Sequence, residues 1–139
     1  MAVYRSSKEK ITRAKYGELL GEAKLIFRDI QRRTKRRPYV RSAYFGKQKI
    51  FFDYFWIHLF QKIPPERVRR LQFFEAAVDS IRHSRHDPVS MQNPNRAREV
   101  LHRFSGVTRD GKRFIVQIKE DKRTKRLQFM SCFPDKVDK

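Results

Sequence analysis

From Val100 to Phe133 the chain alternates apolar and polar residues in three runs separated by two turns, the period of half-buried antiparallel strands. Asp110-Gly111 predicts a two-residue type I′ hairpin, because Gly accepts the positive φ that such a turn demands. With Arg109 opposite Lys112, Val107 then faces Phe114, Ser105 faces Val116, Phe104 faces Gln117, Arg103 faces Ile118 and His102 faces Lys119. A second turn within Asp121 to Arg126, centred on Arg123-Thr124, sets Ile118 opposite Phe129, Gln117 opposite Met130 and Val116 opposite Ser131. Parity sorts these side chains into two faces. One carries Leu101, Val107, Phe114, Val116, Ile118, Leu127, Phe129 and Phe133, enough apolar surface to bury against helices. The other carries His102, Phe104, Gln117, Lys119 and Gln128, with Ile115, Met130 and Cys132 toward one end.

Upstream, the apolar spacing is helical. A first helix is expected from Ser6, which has capping-box spacing to Glu9, to about Arg33, with Tyr16, Leu19, Leu20, Ala23, Ile26, Phe27 and Ile30 as its stripe. Tyr39 to Phe45 reads as a short edge strand. Lys47 to Lys62 is expected as a second helix whose Phe51, Phe52, Phe55, Trp56, Leu59 and Phe60 form core, with His58 beside them as a hydrogen-bonded structural histidine. Pro64-Pro65 opens a third helix, traced by Val68, Leu71, Phe74, Ala77, Val78 and Ile81, with Arg67, Arg69 and Arg70 on other faces. Pro88 to Arg98 reads as a polar loop turning at Asn93-Pro94-Asn95. The expected class is α+β: about three N-terminal helices packed on a C-terminal antiparallel β-meander of three to four strands. All 139 residues are expected to form one domain, with helices over about 6–84, a loop over 85–98 and the meander over 99–134.

Charge changes the meaning of the polar face. Lys and Arg number 34 against 15 Asp and Glu, a formal net charge of +19, which suits a chain that meets a polyanion. An aromatic share of 13% separates it from a disordered basic tail. The N-terminal residues contain no apolar stretch of signal-peptide type, no run approaches a membrane span, and the single Cys132 rules out an internal disulfide and cysteine-based zinc fingers. A cytoplasmic protein with no membrane association is expected.

An ordinary antiparallel sheet leaves one face to water, and this face can be read that way. Combined with the charge, it can also be read as a place to hold a phosphate and stack a base. Metal-free RNA cleavage needs a proton shuttle and cations over the phosphate. His102 as general acid or base and Lys119 as phosphate clamp meet that minimum, with Arg103 and Ser131 as further catalytic candidates that a β-bulge would have to re-aim. Glu120 is the one strand carboxylate that could act as a base, although parity points it away from His102. Phe104, Gln117 and Gln128 are candidate RNA contacts, Arg85 and His86 a basic rim, and Arg32, Arg33, Lys35, Arg36 and Arg37 a phosphate-binding run at the end of the first helix. His83, His86 and Asp87 lack a Cys or Glu to complete a metal set, so neither metal nor cofactor is expected.

The stretch HRFSGVTRDGKRFIVQIKED, followed by FMSCFP, resembles small proteins of phages and mobile elements assigned to the barnase, EndoU, colicin and RelE-like group of ribonucleases. The resemblance covers about a quarter of the chain. It implies helices on an antiparallel sheet whose open face cuts RNA without metal, often as a toxin restrained by an acidic antitoxin or immunity partner. It carries His102, Arg103, Gln117, Lys119 and Ser131 over by position. The sheet face lacks the Glu base of barnase itself, which favours cation-led catalysis. Two other readings remain open: a non-catalytic basic module binding RNA, DNA or ribosomes, and a metal-dependent restriction-type nuclease built on Gln117-Ile118-Lys119 with Asp110.

Overall fold

Phe114, Val116 and Ile118 are fully buried and alternate with half-exposed neighbours on one strand; the core forms on their side of it. The computed structural model describes residues 3–136. Its elements are β1 (Tyr4–Arg5), α1 (Tyr16–Arg32), β2 (Tyr39–Arg41), β3 (Lys49–Phe51), α2 (Asp53–Phe60), α3 (Pro64–Leu71), α4 (Phe74–His83), β4 (Val89–Asn93), β5 (Arg96–Val107), β6 (Arg113–Asp121) and β7 (Leu127–Pro134). Seven strands form one sheet in the order β1-β5-β6-β7-β3-β2, with β4 also paired to β5. β1 runs parallel to β5 and β3 parallel to β7; the other pairs are antiparallel.

The class is α+β, as expected, but the architecture differs from helices laid on a C-terminal meander. There are four described helices, the sheet is mixed, and the meander β5-β6-β7 is its centre. Ser6 does not cap a helix. Its hydroxyl donates to Asp79 (2.7 Å), Tyr4 donates to the same oxygen (2.9 Å), and helix α1 starts only at Tyr16. Burial alone would raise the Asp79 carboxyl, but bonds from Ser6, Tyr4 and His83 hold it below its ordinary value. Tyr4 is pushed up to about 12, by burial first and then by that carboxylate.

The expected second helix is divided. Gly46 and Lys47 both take positive φ (63° and 68°) and reverse the chain, so that Lys49–Phe51 pairs back on β2 before α2 begins at Asp53. The expected third helix breaks at Gln72-Phe73. Adjacent residues on one continuous helix point about 100° apart, whereas the break lets both Phe73 and Phe74 enter the core, 2% and 0% exposed. The expected loop over Pro88–Arg98 is a hairpin of β4 with β5, its turn tied by the Asn95 amide on Asn93 Oδ1 (3.0 Å).

One turn decides the faces of the sheet. Gly111 does take positive φ (84°), yet the loop holds three residues: the Thr108 amide donates to the Lys112 carbonyl (2.8 Å) and the Gly111 amide to the Thr108 carbonyl (2.9 Å). Every β5–β6 pair is therefore displaced by one, with His102 opposite Ile118 and Arg103 opposite Gln117. A slip of one residue exchanges the faces of a strand. His102, Phe104 and Gly106 thus join the core side, and a Cβ at position 106 would lie 2.4 Å from the Phe114 ring. The second turn closes as expected, with Ile118 opposite Phe129. Met130 then bulges, so Gln117 pairs with Ser131 and Val116 with Cys132.

Helices and sheet share one apolar cluster, centred on Phe52, Phe55, Phe74 and Phe129. Among the described residues no helix is long and apolar enough to cross a membrane.

Candidate nucleic-acid site

The register change and the bulge together build a row on the open side of the sheet: Arg103, Gln117 and Ser131 lie side by side on β5, β6 and β7. Arg103 Nε donates to Gln117 Oε1 (3.0 Å). These residues, with Met130 and Phe133, form one wall of a cleft of about 570 Å³. The other wall comes from α2 and α3. β3 pairs with β7 only at Leu127 and Gln128, and beyond that point the two helices pack along β7 and bring His58, Lys62, Glu66, Arg69 and Arg70 to the cleft.

Its electrostatics are one-sided. Among the described residues Lys62, Arg69, Arg70, Arg103 and Lys136 line it against one carboxylate, that of Glu66. That carboxylate accepts from Arg70 Nη1 (2.6 Å), the bond that chiefly lowers it, and lies 3.6 Å from Arg69. Cys132 Sγ donates to the Arg70 carbonyl (3.2 Å) and so pins α3 to the sheet; burial pushes that thiol far up. The Arg70 and Arg103 guanidinium groups lie 5.9 and 5.7 Å from the centre of the Phe133 ring. His58 is held below the ordinary imidazole value of 6.5, first by burial and then by the charges of Lys62, Lys119 and Arg70, so it is neutral at pH 7. Its ring lies 5.8 Å from that of Tyr54, one turn earlier on α2.

Lys119 stands on the same side of the sheet, with Nζ 3.7 Å from the Tyr54 ring centre and 3.6 Å from Glu99. Gln128 lies between Phe51 and Lys119 in register, its Oε1 buried without a donor among the described residues. Thus Arg103, Gln117 and Ser131 come together, with Lys119 and Gln128 adjacent. Their expected companions do not join them. His102 lies on the core side, with Ser90 Oγ 2.6 Å from Nδ1, Glu120 Oε1 2.8 Å from Nε2, and Phe45 edge-on to its ring. The exchange of β5's faces that carries His102 away from Lys119 also brings Glu120 to it, against the expected parity. Phe104 is likewise core, packed on Tyr44 and Phe45. Arg85 and His86 are exposed beyond α4 and do not line the cleft.

Arg32 ends α1, while Arg33, Lys35, Arg36 and Arg37 line a second groove of about 530 Å³ with Tyr39, Lys49, Phe51 and Arg126. Among the described residues no three His, Cys, Asp or Glu side chains are grouped to hold a metal ion, and His83 Nδ1 is 3.0 Å from Asp79 instead. His58, expected as a structural histidine, Arg69 and Arg70, expected only on other faces of the third helix, and Lys62 were not read as site residues, yet all four line the cleft. A signal was present, since Tyr54, His58 and Lys62 recur every four residues off the apolar stripe of α2.

His102→Ala would leave Ser90 and Glu120 without their buried partner. We expect it to lower stability by about 1–3 kcal/mol in urea unfolding while leaving nucleic-acid affinity unchanged in a filter-binding titration. An unchanged unfolding midpoint with lost affinity would contradict that role. No family model, curated protein or solved structure matches this chain.

Proposed function

We propose that this protein is a metal-independent endoribonuclease of the toxin-like kind, and that the His58 cleft is where it cuts. One observation carries the proposal: a neutral imidazole stands among Lys62, Arg70 and Lys119, in a cleft that also holds Arg103 and Ser131. His58 takes the proton of a ribose 2′-hydroxyl. The 2′-oxygen bonds to the adjacent phosphorus, the phosphorus–5′-oxygen bond breaks, and the departing oxygen takes a proton from solvent, leaving a 2′,3′-cyclic phosphate. Arg70, Arg103 and Lys62 stabilise the negative charge that grows on the phosphoryl oxygens. Arg70 Nε is buried without an acceptor among the described residues. The net charge of +19 supplies the sequence-independent part of the affinity. The single, buried Cys132 fits a cytoplasmic site of action, and a cleft this basic fits restraint by an acidic partner protein.

The test is incubation of an end-labelled RNA of mixed sequence with the protein in EDTA. The expected result is internal cleavage to cyclic-phosphate ends. RNA held tightly and never cut, with or without magnesium, would leave a non-catalytic binding module as the better description.

A further inference from the structure

The open side of the sheet continues past the cleft. Tyr39, Phe51, Gln128 and Lys119 form one row across β2, β3, β7 and β6. Tyr39 and Phe51 meet edge-on with ring centres 6.0 Å apart. Each is flanked by cations: Lys49 at 4.7 Å and Arg41 at 5.5 Å from the Tyr39 ring, Arg37 at 4.8 Å and Arg126 at 5.5 Å from Phe51. Arg37 is anchored on Asp53. Among the described residues Lys35, Arg36, Lys49 and Arg126 have no ion-pair partner. Among the described residues no carboxylate lines this groove.

We infer that this groove is a second subsite, for single-stranded RNA flanking the scissile phosphate. One base stacks on Phe51 and the next on Tyr39, while Lys35, Arg36 and Arg126 hold the phosphates. Three features select that ligand. Aromatic faces among exposed cations stack bases that are unpaired, and paired bases offer no such face. The unpaired, exposed cations suit a polyanion. The position is right as well: Phe51 lies opposite Gln128, and Ser131 of the cleft is three residues further along β7, about 10 Å at about 3.3 Å per residue. Lys119 Nζ stands over the Tyr54 ring, which in turn lies 5.8 Å from that of His58. The subsite rests on the ribonuclease reading for its consequence, which is that strands long enough to reach the groove are cut faster than a dinucleotide.

Phe51→Leu and Tyr39→Leu keep apolar bulk and charge and remove the stacking face. Binding is read first, with an uncleavable 2′-deoxy ten-mer carrying 2-aminopurine, beside the same strand in a duplex. Wild type should quench the single strand and bind it more tightly than the duplex. Each variant should bind it about 5- to 100-fold more weakly with reduced quenching. Cleavage is read next: the variants should lose kcat/KM on a ten-mer RNA and match wild type on a dinucleotide. Variants that bind and cut the ten-mer like wild type overturn the subsite and leave the ribonuclease reading intact. Equal affinity for single strand and duplex overturns it too, as does a polyglutamate peptide competing as well as RNA. If wild type cuts nothing while the binding results stand, the ribonuclease reading fails and the single-strand site remains.

Discussion

His58→Ala should abolish RNA cleavage, by about 100- to 10,000-fold in kcat/KM, while affinity for uncleavable RNA stays within twofold. The two effects separate because His58 is neutral at working pH: burial and the charges of Lys62, Lys119 and Arg70 keep its proton off, so its removal takes no cation from the cleft. The same facts fix the pH profile. A general base works only in its unprotonated form, and that form grows as pH rises through the His58 value, which lies below 6.5. Cleavage should therefore rise along an acid limb with its midpoint below 6.5 and be level at pH 7. His58→Lys discriminates further, since an added ammonium strengthens binding and cannot accept a proton. Recovery of cleavage by His58→Lys would show that the position supplies charge, and the assignment of His58 as base would be lost.

The sequence showed this fold unevenly, and for physical reasons. Periodicity found the meander, the core stripe of α1 and the proline start of α3, because each reflects burial on one side of a regular element. Asp110-Gly111 located a turn without giving its length. A two-residue type I′ loop and a three-residue loop ending in a left-handed Gly both want Gly there, yet they differ by one residue in register. β5 itself could not arbitrate, since Leu101, Phe104 and Val107 do not alternate. That single residue moved His102 from a supposed active face to a buried pair with Glu120. The vaguer second turn gave the correct pairing of Ile118 with Phe129, and it was the Met130 bulge, invisible to alternation, that re-aimed Ser131 into line with Gln117. His58 was hidden differently. Within α2 it neighbours core aromatics, and only tertiary packing along β7 turns its polar side to the cleft.

Phe129→Ala should cost about 3–5 kcal/mol, measured as a lower urea midpoint at unchanged slope. The Phe129 side chain is fully buried and stacks flat on Phe55 at 4.7 Å, with Phe52 at 5.2 Å and Phe74 at 6.4 Å. Removing it leaves a cavity between β7 and α2 that rings on both sides cannot close without losing one another. Its position makes this more than a stability effect. Phe129 directly precedes the Met130 bulge, and Phe55 lies three residues before His58 on α2, so this stack is one of the contacts that hold the helix carrying His58 against the strand carrying Ser131. On the proposed function we therefore expect folded Phe129→Ala at low temperature to keep RNA affinity, which would rest on charges spread over the surface, and to lose cleavage, which would rest on placing one imidazole. Phe129→Leu, which retains much of the volume, should lose less of both stability and cleavage. Full cleavage by folded Phe129→Ala would show that α2 holds His58 in place without this stack.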